Sequence, residues 1–115
     1  MIMQEETWMI AGTIADVPER GARVVNTERG GLAIFRAADG AIFALWDRCP
    51  HKGGPLSQGI VHGHSVTCPL HNWVIGLETG EVQGPDKGCA RKVAVKLLDG
   101  QILIPASVLQ KRRAA

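Results

Sequence analysis

The sequence contains no tyrosine, only two phenylalanines and only three cysteines among its 115 residues. Three thiols cannot all pair with one another, so a disulfide framework is a poor use for them and metal ligation becomes the use to weigh. No apolar run approaches the ~20 residues that a membrane-spanning helix requires. A surplus of charge is missing too. Thirteen Lys and Arg against eleven Asp and Glu leave a formal net charge of +2, much of it in the tail at Lys111, Arg112 and Arg113. So weak a basic signal argues against a nucleic-acid partner. Nothing resembles a nucleophile with its base, a phosphate-cradling loop or a pair of acid/base carboxylates, so the chain alone is not expected to turn over a substrate. The segment from Met1 to Trp8 carries Glu5 and Glu6 and no basic head before an apolar stretch. It does not read as a secretory signal, and a cytoplasmic location is expected.

What is present is a globular composition, 45% hydrophobic and 21% charged, of a length that suits one compact domain over residues 1–115. Fourteen glycines and six prolines punctuate short segments rich in Val, Ile and Leu, the rhythm of strands and turns. Leu32 to Arg36 and Ala41 to Trp46 flank Ala38-Asp39-Gly40, and Val93 to Leu98 and Gln101 to Ile104 flank Asp99-Gly100. Each pair reads as a β-hairpin, because Asp-Gly readily supplies the positive φ of a tight turn. Thr7 to Ala11, Arg23 to Asn26, Ile60 to Val61, Ser65 to Thr67 and Trp73 to Ile75 read as further strands. Val93, Val95 and Leu97 alternate with Lys92 and Lys96 across the strand, which predicts one buried and one wet face. No segment carries a helical stripe, although Pro105 to Lys111 suits a short terminal turn. The expected fold class is all-β, an antiparallel sandwich or barrel.

Two glycine- and proline-rich loops, Cys49-Pro-His51-Lys-Gly-Gly-Pro-Leu56 and Cys68-Pro-Leu-His71-Asn-Trp73, each hold one Cys and one His. With four histidines in the chain, two such coincidences arise by chance at roughly one in a hundred. Soft thiolates suit sulfide-bridged iron, and neutral imidazoles leave their iron more easily reduced, so a two-Cys, two-His set suits an iron–sulfur centre. A tetrahedral zinc site could use the same four residues. His62 and His64 flank Gly63 and read as an exposed hairpin turn. Cys89 has no His at metal spacing and reads as a small buried side chain or an ordinary thiol. Asp47 and Arg48 read as solvated loop charges or docking contacts.

The pattern C-x-H, sixteen residues, then C-x-x-H resembles the Rieske family, from Trp8 to Ile104. The resemblance implies a Rieske-like β fold with a small cluster-binding subdomain and one [2Fe–2S] cluster on Cys49, His51, Cys68 and His71. It also implies cluster loops near 47–58 and 67–76, and a covering loop near 83–88 with Gly84-Pro85-Asp86 at its centre. Lys52, Gly53, Gly54, Pro69, Leu70, Asn72, Trp73 and Pro85 would then surround the ligands, Trp73 packing beneath the cluster and Lys52 serving as a solvated loop charge or a docking contact.

Within that family, DRCPHKGGPLSQGIVHG and VTCPLHNWVIGLETGE resemble the small subunits of NAD(P)H-dependent nitrite reductases, including Asn72 where many Rieske proteins have glycine. That likeness implies a large partner subunit with FAD, a [4Fe–4S] centre and sirohaem, which reduces nitrite to ammonia. A ferredoxin feeding a ring-hydroxylating dioxygenase and a non-redox, metal-stabilised binding module are the alternatives. High-potential members carry a loop disulfide at positions that align with Gly54 and Leu70, and a Ser and a Tyr at those of Trp73 and Ile75. Their absence here implies a low potential.

Overall fold

A computed structural model of the chain describes residues 7–50, 54–69, 72–84 and 88–109. Ten strands lie within them: β1 (Trp8–Thr13), β2 (Gly21–Thr27), β3 (Gly30–Arg36), β4 (Ile42–Trp46), β5 (Ile60–His62), β6 (Ser65–Thr67), β7 (Val74–Gly76), β8 (Lys92–Val93), β9 (Lys96–Leu98) and β10 (Gln101–Pro105). They form three antiparallel sheets, ordered β1-β10-β9, β2-β3-β4-β8 and β5-β6-β7. The helical segments described are 3-10 turns at Ile14–Asp16, Leu56–Gln58 and Ala106–Leu109, the last inside the predicted terminal turn. The all-β expectation therefore holds. Among the described residues, no helix is long and apolar enough to cross a membrane.

Turn chemistry explains the hairpins. Asp99 and Gly100 take φ of 51° and 77° between the paired residues Leu98 and Gln101, the two-residue turn in which both central residues need positive φ. In the β3–β4 connection only Gly40 turns positive, at 89°. Asp39 instead bends the chain by accepting the Ala41 N–H on its Oδ1 at 3.0 Å, an Asx-type turn.

The central strand β3 is buried on both faces, so its run Leu32-Ala33-Ile34-Phe35 is uninterrupted by polar residues. Successive side chains of a strand point to opposite sides. Ala33 and Phe35 pack with Leu45, Leu56, Val66 and Ile75 into one core, which also contains Cys49 and Cys68. Leu32 and Ile34 pack with Ala44, Ile102 and Ile104 into the other. Burying each such aliphatic or aromatic side chain contributes about 1.5–3 kcal/mol. The β3–β4 hairpin thus forms the wall between a loop-bearing half and a sheet-bearing half.

The expected strand Val93–Leu98 is two strands. Val93 in β8 pairs with Ala44 of β4, whereas Lys96 to Leu98 form β9 and pair with β10 in a different sheet. Alternation fails across the switch: Val93 is buried, but Leu97 and Leu98 are 47% and 58% exposed. β9 lies at the edge of its sheet, with a neighbour on one side only.

Candidate functional site

The first candidate loop leaves β4 after Trp46 and the second connects β6 to β7. Cys49 and Cys68 are 2% and 1% exposed, belong to the same core, and are both free of disulfides. Each lies at the start of a loop closed in the same manner. The Cys49 N–H donates to the carbonyl of Gly54 at 2.7 Å, and the Cys68 N–H donates to the carbonyl of Trp73 at 2.7 Å, in each case five residues ahead. Asn72 N–H returns to the Cys68 carbonyl at 3.1 Å. The two loops share this closure although their Cys-to-His spacings differ.

What holds the mouth of each loop is different. The second loop is clamped by the β6–β7 ladder, in which Thr67 faces Val74 directly. The first has β4 on one side and a 3-10 turn on the other, so no ladder is available. There the Asp47 carboxylate supplies the clamp: Ser57 N–H donates to Oδ1 and Ser57 Oγ–H to Oδ2, both at 2.7 Å. Asp47 is itself fixed by its N–H, which donates to the Gly31 carbonyl at 2.9 Å. Sequence reasoning read Asp47 as a solvated loop charge or a docking contact and missed this clamp. The available signal was an acid at one end of a glycine-rich loop and a hydroxyl ten residues on.

Among the expected neighbours, Gly54 is buried and closes the first loop through its carbonyl. Pro69 and Asn72 are exposed. Asn72 takes φ of 58°, a left-handed conformation that Gly and Asn tolerate best. Trp73 is half-buried against the core that holds the cysteines. His51, Lys52, Gly53, Leu70, His71, Pro85 and Asp86 lie outside the described residues. Of the expected covering loop, Gln83, Gly84 at φ 89° and Gly88 are described.

His62 ends β5 and His64 lies in the turn that follows it. His62 Nε2 is 2.7 Å from Thr67 Oγ1, and His64 lies between two carboxylates, Asp39 and Glu78. Cys89 is exposed, which removes the buried reading. Its thiol stands 3.4 Å from the Ala90 carbonyl.

Among the described residues no three His, Cys, Asp or Glu side chains converge on a metal position, and the buried side chains include no polar or charged one apart from the thiols. Two buried cysteines outside any disulfide, in one apolar core and each at the base of a hydrogen-bonded loop, form a soft donor pair that suits iron–sulfur ligation.

Two buried cysteines on two loops of an all-β scaffold suit a loop-held metal centre. The comparisons specify which: residues 7–102 match the Rieske [2Fe-2S] domain, and the chain belongs to that family. A Rieske domain binds a [2Fe–2S] cluster, and its class is electron transfer. The chain is 34% identical over 98 residues to the anthranilate 1,2-dioxygenase ferredoxin subunit of Burkholderia cepacia, covering 83% of this chain and 88% of that protein. It is 35% identical over 71 residues to the 4beta-methylsterol monooxygenase of Methylococcus capsulatus, covering 62% of this chain but 19% of that enzyme. It therefore spans under a fifth of that oxygenase.

Two solved structures share the fold at a TM-score of 0.76 and 24% identity. One is a chain from the oxygenase–ferredoxin complex of carbazole 1,9a-dioxygenase, with 88% of this chain and 94% of that chain covered. The other is described as a nitrite reductase NADPH small subunit, with 87% and 99% covered.

Proposed function

We propose that Cys49, His51, Cys68 and His71 hold the cluster, and that the chain serves as the Rieske electron-transfer subunit of an NAD(P)H-dependent nitrite reductase. The observation that carries the ligand assignment is the pair of buried cysteines, neither in a disulfide, at the bases of two loops that each close through a cysteine N–H to the carbonyl five residues ahead. The bound cluster supplies a site that takes up and gives up one electron at a time. The chain's own residues prepare the place for it. The hydrogen bonds from the Cys49 and Cys68 N–H groups fix the backbone from which the thiols project, and Leu56, Val66 and Ile75 keep water from the sulfur side. The assignment to nitrite reductase is supported by the wording of both loops and by the shared fold with a chain described as such a subunit.

A second reading, a ferredoxin for a ring-hydroxylating dioxygenase, is favoured by one observation, the 34% identity that spans 88% of a dioxygenase ferredoxin subunit. Anaerobic purification from the native host separates the two. Co-purification with a sirohaem flavoprotein, and loss of growth on nitrite when the chain is deleted, are the expected results. Support of hydroxylation by an oxygenase and its reductase, with growth on nitrite intact, would overturn the first reading in favour of the second. A brown protein with a rhombic EPR signal on reduction is expected in either case, and a colourless zinc protein would reject both.

A further inference from the structure

The two loops are clamped by different means, and the difference falls on one side chain. A β ladder is cooperative with the rest of its sheet: the β6–β7 mouth is tied into the Val66–Ile75 and Thr67–Val74 pairs and opens only when that sheet opens. Across the mouth of the first loop the Asp47 carboxylate takes the place of a ladder, through two charge-assisted bonds to Ser57 at 2.7 Å, which are strong and directional. Inside that clasp lies the Cys49–Gly54 closure. Neither Asp47 nor Ser57 is exposed; both are half-buried. Competition from water for the two bonds is therefore reduced.

We infer that Asp47, clasping Ser57, is a positioning residue for the first ligand loop: it holds Cys49 in register for the cluster, as the β6–β7 ladder does for Cys68. The inference rests on the ligand assignment proposed above and adds an asymmetry to it. The first loop can be released without melting a sheet, so the first loop opens first and its ligands are the ones lost when the centre comes apart. Such supporting contacts orient the groups that touch a metal and tune it.

The test uses the full chain as purified, with Ser57→Ala removing one bond, Asp47→Ala removing both, and Ser57→Thr restoring the hydroxyl. Amide hydrogen exchange, read by mass spectrometry on peptides spanning 47–57 and 65–75, should speed up at least tenfold in the first peptide for Asp47→Ala. A smaller increase is expected for Ser57→Ala, and no change in the second peptide. Iron release to a ferrous chelator should accelerate by a similar factor, the reduced EPR line shape should broaden, and Ser57→Thr should recover the wild-type values. Equal acceleration in both peptides would mean general destabilisation and would overturn the inference, as would unchanged exchange at 47–57. If Asp47→Ala does not fold, Ser57→Ala and its Thr rescue decide alone. Failure of the ligand assignment looks different: reduced wild-type protein then lacks the rhombic signal, whatever the exchange pattern.

Discussion

His64 Nε2 stands 2.8 Å from Asp39 Oδ2, joining the β5–β6 turn to the loop between β3 and β4. Its other ring nitrogen, Nδ1, is 2.8 Å from Glu78 Oε1, and the ring leans on Phe43 with centroids 4.9 Å apart. Two carboxylates can accept from both nitrogens together only when the imidazole carries both protons. The contacts with Glu78 and then Asp39 accordingly raise the His64 pKa above its ordinary 6.5. The ring ties the β5–β7 sheet, on which the second loop is mounted, to the central hairpin.

The sign of the pH dependence follows. A group whose pKa is raised on folding gives its full stabilisation below the ordinary histidine value and loses it as pH climbs through the raised value. Asp39 is held below its ordinary 3.8, first by the Ala41 N–H and then by His64, so its contribution is lost as pH falls through that lowered value. The stability difference between wild type and Asp39→Asn or Glu78→Gln should be greatest in mildly acidic solution and shrink toward pH 9. Urea unfolding across pH, with an NMR titration of His64, checks this. A pKa of His64 unmoved by either substitution would reject the clasp.

Opposite faces of β3 should separate stability from cluster retention. Phe35→Ala, on the face shared with Cys49 and Cys68, should cost about 3–5 kcal/mol, and Ile34→Ala, on the other face, about 2–5 kcal/mol. At matched residual stability only Phe35→Ala should lower the iron and sulfide content, measured per folded chain.

Asn72 occupies the left-handed region at φ 58°. Asn72→Gly should leave stability within about 0.5 kcal/mol, the usual range of an exposed substitution. Asn72→Val should cost about 1–2 kcal/mol and loosen the Cys68–Trp73 closure. Denaturant unfolding and exchange at the Cys68 amide measure the two effects.

Gly59 is fixed by space. A Cβ there would run into the Thr67 carbonyl, so Gly59→Ala must push β6 away from the 3-10 turn. A loss of about 1–3 kcal/mol is expected. An unchanged melting temperature would contradict the close approach.

The redox midpoint should lie in the lower part of the roughly −150 to +300 mV Rieske range. The chain has no tyrosine, and Ile75 is fully buried with no polar group to offer. Fewer hydrogen bonds leave the reduced, more negative centre less stabilised. An EPR-monitored titration with a midpoint near the top of the range would reject this.

The sequence by itself determined the features that act over a few residues. Asp99-Gly100 specified a turn because both positions need positive φ, and the apolar segments specified strands through their composition. The paired Cys–His spacings pointed to a metal centre, and the resemblance of the surrounding loops, not the donor types, separated a cluster from zinc. Tertiary structure decided what depends on partners distant along the chain. Asp47 meets Ser57 ten residues on, and His64 meets Asp39 and Glu78 at separations of 25 and 14. No period of two or of 3.6 encodes such distances, and a carboxylate on a loop looks the same in sequence whether it is solvated or clasping. Tertiary structure also decided that Val93 and Leu97 belong to different sheets. Alternation records which way a side chain points from its strand, whereas burial depends on which sheet lies opposite.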